Sequence, residues 1–187
     1  MARILMSPFE RGLVVESPHP SLDEALARYR IATTWLDRVP NTGALIDALR
    51  SSRAHVLFKR SRVTVPREVF EACPDLHVVA LCCIGDDSVD KDAAADHGVL
   101  VVNDPVSNAR SVVEMAIGHL IALSRRFYDT NDATHRHVWD KDHSHRYEVA
   151  GKVVGIVGLG NIGRQVARMA DQLGMTVQFF DSRPVAQ

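Results

Sequence analysis

Short apolar runs alternate along the first hundred residues with segments whose apolar positions recur at helical spacing. The runs predict strands at Ile4–Met6, His55–Phe58, Val78–Cys82 and Val99–Val102. The helical spacing predicts helices over residues 22–29, 42–50, 66–72 and 90–97. Near-continuous apolar strands separated by helices indicate a parallel sheet that is covered on both faces. We therefore predict one α/β domain over residues 1–103.

Two helix boundaries in this part follow from backbone chemistry. Pro66 is expected at the first helical position of its helix, where its missing N–H has no hydrogen-bond partner to lose. Gly98 is expected to end the helix over residues 90–97, because glycine adopts the left-handed conformation of a C-cap without strain.

The pattern changes over residues 104–187, which we predict to hold interdomain helices and the opening of a second α/β unit. A long helix begins at Ser107 or Asn108 and carries a broad apolar face. A second helix is predicted over Tyr128–Trp139, followed by a polar loop over Asp140–Glu148. After this loop a new apolar strand begins near Lys152.

The glycine-rich segment after this strand is the most informative motif in the chain. Gly158, Gly160 and Gly163 form the pattern GxGxxG between an apolar strand and an amphipathic helix over residues 162–173. The first glycine permits the tight turn, the second lets the backbone approach a pyrophosphate, and the third lets helix and strand pack closely. The N–H groups of Asn161 and Ile162, at the start of the helix, face the phosphates. The segment predicts a dinucleotide site.

An acidic residue completes this pattern. Asp181 follows the next predicted strand, Thr176–Phe180, about 20 residues after the glycines, where a carboxylate accepts hydrogen bonds from ribose hydroxyls. A carboxylate there would repel the 2′-phosphate of NADP, so the predicted cofactor is NAD. Arg183 is close enough in sequence to soften that repulsion.

Composition and charge narrow the class of protein. The chain has 187 residues, 46% of them hydrophobic, and a formal net charge of −1. This balance gives no reason to expect a nucleic acid or a membrane as a partner. The three cysteines, Cys73, Cys82 and Cys83, are odd in number, so they predict reduced thiols in the cytoplasm rather than a disulfide framework. We interpret Cys82 and Cys83 as buried strand residues.

A histidine cluster, His135, His137, His143 and His145, raises the alternative of a zinc site. No cysteine accompanies these histidines, and the first two lie on different sides of a helix. We therefore predict no metal, and interpret the stretch as a helix end and a loop, with Trp139 as a packing or subunit-contact residue.

Beyond the glycine motif, several segments have the spelling of one enzyme family, and with them the chain resembles the N-terminal part of the D-isomer-specific 2-hydroxyacid dehydrogenases. Within that family, the Arg-Ser-Arg, Cys-Ile-Gly and Ser-Asn-x-Arg-Ser spellings are nearest to the branch that oxidises 3-phosphoglycerate. The segments are Arg60–Arg62, Cys83–Asp90, Asn103–Glu114, His135–Lys141 and the glycine motif.

The resemblance implies a flavodoxin-like substrate domain, followed here by the first βαβ unit of a Rossmann NAD-binding domain. It implies a small 2-hydroxy or 2-oxo acid as substrate and a homo-oligomer in which the segment 109–139 contributes to the subunit contact. It places the substrate near six residues: Arg60, Ser61, Cys83, Ile84, Gly85 and Asn108. The backbone amides of the loop Cys83–Gly85 would face a carboxylate of the substrate. An arginine fork suits a phosphate or a carboxylate.

The family's catalytic arginine, glutamate and histidine come after the second Rossmann strand. Since this chain ends at Gln187, no residue of it is predicted to be catalytic, and we expect it to be a fragment of an NAD-dependent dehydrogenase that does not turn over alone. The alternative is a non-catalytic NAD-binding or dimerisation module, since corepressors occur among the family's relatives.

Overall fold

The computed structural model of the chain describes residues 9–36 and 39–184. It divides into two compact units, residues 1–105 and residues 106–187, here called the first and second units. The elements of the first unit are β1 (Arg11–Val15), α1 (Ser21–Arg28), β2 (Ala32–Leu36), α2 (Thr42–Ser52), β3 (Val56–Lys59), α3 (Arg67–Ala72), β4 (Val78–Leu81), α4 (Lys91–Asp96) and β5 (Leu100–Asn103).

All five strands of the first unit form one parallel sheet in the order β2-β1-β3-β4-β5. This is the strand order of flavodoxin-like proteins, so the predicted fold class is confirmed. The order reverses between β1 and β3, where successive connections leave the sheet in opposite directions. In such sheets, ligands bind outside the carboxyl ends of the strands at this point of reversal.

The core of the first unit is apolar and fully enclosed. Leu13 of β1, Leu57 of β3 and Val79 of β4 are 0% exposed, and Phe70 of α3 is 2% exposed. Alternate helices cover the two faces, which explains why the strands are nearly continuous apolar runs. The sheet therefore provides a rigid support for the loops at its carboxyl edge.

Two strands of this sheet differ from the sequence prediction. The structure has a strand at Arg11–Val15, which the sequence analysis did not predict, while the predicted strand Ile4–Met6 lies outside the described residues. The strand Ala32–Leu36 was also not predicted, because it lies at the edge of the sheet and its Thr33 and Thr34 interrupt the apolar pattern.

Two helices of the first unit, α2 and α4, begin at a residue whose side chain caps the helix. Asn41 accepts a hydrogen bond from the Ala44 N–H (2.9 Å), and Asp90 accepts one from the Ala93 N–H (2.8 Å). The prediction for Pro66 was wrong by one position, since it occupies the N-cap with extended backbone and the helix begins at Arg67. Gly98 does adopt a left-handed φ of 67°, just after the C-cap His97.

The second unit contains two helices followed by one βαβ unit. Its elements are α5 (Ala109–Ser124), α6 (Phe127–His135), β6 (Val153–Val157), α7 (Asn161–Gln172) and β7 (Thr176–Phe180). The strands β6 and β7 pair in parallel, from Val153 opposite Thr176 to Val157 opposite Phe180. Helix α5 packs against α7. The predicted Rossmann opening is therefore present as strand, helix and strand.

Two predictions about the helices of this unit need correction. Asn108 is the N-cap of α5, but its side chain makes no capping hydrogen bond. The second helix ends at His135, not at Trp139, because His137 adopts a left-handed φ of 59°. The N–H groups of His137 and Val138 then bond back to the carbonyls of Thr134 and Ala133 (both 2.9 Å), which closes the helix as a Schellman motif.

Among residues 9–36 and 39–184, no helix combines the length and the apolar character that crossing a membrane would require.

Candidate functional site

The turn between β6 and α7 has the geometry that its three glycines predict. Gly158 adopts a φ of 92°, which side-chain-bearing residues avoid, and its N–H bonds to the Phe180 carbonyl (2.7 Å). A Cβ at Gly163 would lie 2.1 Å from the Gly158 carbonyl oxygen, so only glycine lets the helix pack this close to the turn. At Gly160 a Cβ would meet nothing within 4 Å. The backbone there is open to a ligand.

Asp181 ties the end of β7 to this turn. Its carboxylate accepts hydrogen bonds from the Leu159 N–H (2.6 Å) and from the Arg183 N–H (2.9 Å). These backbone bonds, Arg183 first, lower the pKa of Asp181 below its ordinary value, so the group is charged at neutral pH. A carboxylate has about four lone-pair sites, which leaves acceptor capacity for hydroxyl groups of a ligand.

The start of α7 lies beside this carboxylate. Its N-cap is Gly160, which has no side chain to cap the first N–H groups of the helix. The Asn161 side chain accepts from Gln165 Nε2 (3.2 Å), and the Arg164 Nε donates to the Leu159 carbonyl (2.9 Å). The structure thus brings together the six residues that the sequence predicts for the dinucleotide. Five lie in the turn and at the start of α7, and the sixth bonds to the turn from the end of β7: Gly158, Gly160, Asn161, Ile162, Gly163 and Asp181.

A cavity of about 310 Å³ in the first unit is lined by Ser61, Gly85, Asp87 and Ser88. Ser61 follows β3 and the other three follow β4, so the cavity lies at the carboxyl ends of neighbouring strands. Ser61 and Gly85 are among the residues predicted to bind substrate. Asp87 and Ser88 were not predicted, although they lie in the segment that carries the family resemblance.

The loop that carries Arg60, Ser61 and Arg62 is held from below by a buried carboxylate. Glu16 is 4% exposed, and it accepts the N–H groups of Arg60 (2.6 Å), Arg62 (2.5 Å) and Val63 (3.0 Å). These bonds fix the backbone of the loop and satisfy the buried charge. Glu16 was not predicted as part of the site, because β1, the strand that places it at the carboxyl edge of the sheet, was itself not predicted.

The loop Cys83–Gly85 turns its carbonyl groups toward protein donors. The Asp104 N–H bonds to the Cys83 carbonyl (3.2 Å), Asn103 Nδ2 to that of Ile84 (2.7 Å), and the Cys83 thiol to that of Gly85 (3.3 Å). These contacts fix the peptide planes of the loop beside the cavity.

The cysteines are all free thiols, but only Cys73 is buried. Cys82 and Cys83 are half-buried, because β4 ends at Leu81 and both follow it. Our interpretation of them as buried strand residues was therefore wrong. Burial still raises the pKa of the Cys82 thiol, with a smaller contribution from Cys83.

Asn108, the sixth predicted substrate residue, belongs to the second unit, where it begins α5.

The predicted histidine cluster is spread over the end of α6 and the loop that follows it, with His135 Nδ1 2.9 Å from the Asn131 carbonyl. Within the part of the chain that the structure describes, no three histidine, cysteine or acidic side chains are placed to hold a metal ion.

Comparisons with known proteins agree on one family. The family model described as D-isomer specific 2-hydroxyacid dehydrogenase, catalytic domain, matches residues 13–181. The D-3-phosphoglycerate dehydrogenase of Escherichia coli (strain K12) is 40% identical over 172 residues, 90% of this chain and 41% of that protein. The enzyme of the same name from Haemophilus influenzae is 42% identical over 127 residues, 68% of this chain and 31% of that protein. This chain thus spans about two fifths or less of the length of these relatives.

A solved structure shows the same fold. The NAD-dependent formate dehydrogenase from Staphylococcus aureus in complex with NAD aligns with a TM-score of 0.77 and 24% identity, over 92% of this chain and 56% of that one.

Proposed function

Since the chain belongs to the D-isomer-specific 2-hydroxyacid dehydrogenase family, we propose that it provides the substrate domain and the dinucleotide-binding turn of an NAD-dependent dehydrogenase. The proposed reaction transfers a hydride between a D-2-hydroxy acid and NAD. The relatives named D-3-phosphoglycerate dehydrogenase favour 3-phosphoglycerate as the hydroxy acid.

The observation that carries this proposal is the turn between β6 and α7. Gly160 leaves open space at the start of a helix, and Gly163 is packed too closely for any side chain. The first N–H groups of α7 and its partial positive charge suit a pyrophosphate. Asp181, held by the Leu159 N–H, suits the ribose hydroxyls. These residues fit a dinucleotide, which would supply the hydride acceptor of the reaction.

The charge of Asp181 supports NAD over NADP. Because backbone hydrogen bonds lower its pKa, the carboxylate is charged at neutral pH and would repel a 2′-phosphate. The neighbouring Arg183 holds Asp181 chiefly through its backbone N–H (2.9 Å), and the charge of its side chain lowers the pKa of Asp181 by less than the backbone bonds do.

For the substrate we propose the loop at Arg60 and Ser61, the loop Cys83–Gly85, and Asn108. Support comes from the cavity beside Ser61 and Gly85 and from the fixed peptide planes of the second loop. An arginine side chain and backbone amides are suitable ligands for a phosphate and a carboxylate.

We also propose that the chain forms a homo-oligomer through the segment 109–139. Large apolar side chains of this segment are well exposed, among them Leu123 (67%), Phe127 (59%) and Trp139 (78%). Exposed apolar groups of this size mark contact surfaces. Sedimentation at tens of micromolar should show a dimer, which Leu123→Glu converts to monomer while Gln172→Glu, outside the segment, does not. A wild-type monomer would contradict this.

The free thiols suit the reducing cytoplasm that we propose as the compartment of the protein.

The experiment that tests the proposed cofactor is a fluorescence titration of the chain with NADH and with NADPH. We expect NADH to bind more tightly. Asp181→Asn should weaken NADH binding by about 1.5–3 kcal/mol, or about tenfold or more, because it removes a charged acceptor. The same substitution should also reduce the difference in affinity between NADH and NADPH. Asp171→Asn, at the exposed end of α7, removes the same charge as a control. Equal or tighter binding of NADPH by the wild type would overturn the NAD assignment.

A further inference from the structure

A fully buried lysine lies at the carboxyl end of β3, one residue before the predicted substrate loop. Lys59 is 0% exposed, and its Nζ donates a hydrogen bond to Ser88 Oγ (2.6 Å). Lysine is almost never fully buried unless it is paired. The proposed dinucleotide and substrate residues do not include Lys59, so its burial calls for a separate explanation.

Burial of this ammonium opposes folding rather than helping it. Desolvation lowers the pKa of Lys59, and the nearby Glu16 carboxylate and the Cys83 thiol offset this only in part. Glu16 does not depend on Lys59 as a partner, because three backbone N–H groups already bond to its carboxylate. An apolar side chain of similar length would fill this position at a lower cost in free energy.

The hydroxyl that Lys59 contacts belongs to a residue that lines the cavity. Ser88 is one of the four residues that line it. Since the Ser88 oxygen accepts a hydrogen bond from the ammonium, its own O–H is available as a donor, and the nearby positive charge makes that donor stronger. On the same cavity wall, the exposed Asp87 can accept from a ligand hydroxyl, and solvent screens its charge.

We propose that the cavity lined by Ser61, Gly85, Asp87 and Ser88 contains an oxyanion subsite in which the Ser88 hydroxyl is the donor. In this subsite Lys59 is a positioning residue that supplies buried positive charge through Ser88. The ligand group is the carboxylate or the phosphate of a hydroxy acid. This rests on the proposed substrate domain, but it does not depend on the dinucleotide.

The test measures binding of three probes to the 187-residue chain by calorimetry, with the amide NMR signals of Gly85 and Ser88 as the local reporter. The probes are 3-phosphoglycerate, glycerate, which has only the carboxylate, and glycerol 3-phosphate, which has only the phosphate. The probe whose affinity depends on Lys59 identifies which anion occupies the subsite.

Four single variants and one double variant separate the effects of the charge, the hydroxyl and the fold. Lys59→Met and Ser88→Ala should each weaken 3-phosphoglycerate about tenfold, and the double variant should be no weaker than either single one, because the two side chains act as a unit. Ser88→Thr keeps the hydroxyl and should restore binding. Arg28→Met, at the exposed end of α1, removes one positive charge and should change nothing.

A readout of stability distinguishes this role from a structural one. Lys59→Met should lose affinity without a fall in the free energy of unfolding, since a costly buried charge is removed. If wild type binds 3-phosphoglycerate and both Lys59→Met and Ser88→Ala bind it equally well, the subsite is wrong while the proposed substrate domain stands. Additive losses of affinity in the double variant would show that Lys59 does not act through Ser88, and would likewise overturn the proposal. If wild type binds none of the three probes, the proposed substrate site fails, and the subsite with it.

Discussion

The two units use the same strand–helix–strand connection but bury their strands to very different degrees. In the first unit, Leu57 and Val79 of the central strands are 0% exposed. In the second, Val157 of β6 is 88% exposed and Phe180 of β7 is 68% exposed. The first sheet has five strands and the second has two, paired only with each other among the described residues.

This difference separates two ways of building a binding site. The cavity of the first unit depends on long-range packing, because its residues come from loops that the whole sheet supports. The turn of the second unit depends on local geometry: a glycine at positive φ, a glycine packed against the turn, and one carboxylate. A two-stranded sheet contributes little stability of its own. We therefore expect the second site to keep its geometry locally and to gain rigidity when a ligand binds.

The largest expected difference is between two phenylalanines. Phe70 is 2% exposed in the core of the first unit, whereas Phe180 is 68% exposed on β7. Phe70→Ala should lower the free energy of unfolding of the first unit by about 3–5 kcal/mol, because it leaves a cavity. Phe180→Ala should change the free energy of unfolding of the second unit by no more than about 0.5 kcal/mol. Denaturant unfolding followed by amide signals of each unit measures both values. Similar losses in the two variants would remove the contrast between the units.

A smaller effect is expected at the glycine turn, where one substitution should destabilise the turn and another should weaken NADH binding. Gly163→Ala places a Cβ 2.1 Å from a backbone oxygen, so the turn must shift, and overpacking of this kind costs about 1–3 kcal/mol. Gly160→Ala meets no protein atom within 4 Å, so it should weaken NADH binding without speeding hydrogen exchange in β6 and β7. Gly155→Ala, which is equally open but lies within β6, is the control for both. Unchanged exchange in Gly163→Ala would show that the turn is more pliable than its packing indicates.

The smallest expected effect is a pH dependence of stability in the first unit. Because burial lowers the pKa of folded Lys59, the unfolded chain binds more protons than the folded chain between that lowered value and about 10.4. The free energy of unfolding contributed by Lys59 should therefore rise as pH increases through this window. The difference in the free energy of unfolding between wild type and Lys59→Met, measured against pH, isolates this contribution. Cys73 and Cys82, whose raised pKa values act in the opposite direction, are present in both proteins and cancel. Parallel curves for the two proteins would show that Lys59 titrates normally.

Elements with a strong local signal could be predicted from the sequence. The glycine turn could be predicted because Gly158 takes a positive φ and Gly163 packs against the turn, two local demands that the motif encodes. Asp181 follows the next strand at the spacing of the same motif, and it bonds to the turn through the Leu159 N–H. The end of α6 could not be located, because a histidine, His137, takes the left-handed position that glycine usually takes. The edge strand β2 was missed because its threonines break the apolar run that marked the central strands.

The buried contacts that hold the substrate loop could also not be predicted from local sequence patterns. Glu16 and Lys59 are charged residues that follow apolar runs, and a single sequence gives such residues no sign of burial. Only the pairing of β1 with β3 brings Glu16 under the loop that begins at Arg60. Lys59 meets Ser88 across 29 residues of chain. Contacts of this range depend on the assembled sheet rather than on spacing along the chain.

The measurement that tests the central claim most directly is an amide NMR titration of the chain with NADH and, separately, with 3-phosphoglycerate. The claim is that each unit has its own ligand site, a dinucleotide turn in the second and a hydroxy-acid cavity in the first. NADH should shift the signals of Leu159, Gly160 and Asp181, and 3-phosphoglycerate should shift those of Ser61, Gly85 and Ser88. Shifts from NADH that fall outside the β6–α7 turn, or no saturable shift from either ligand, would contradict the account.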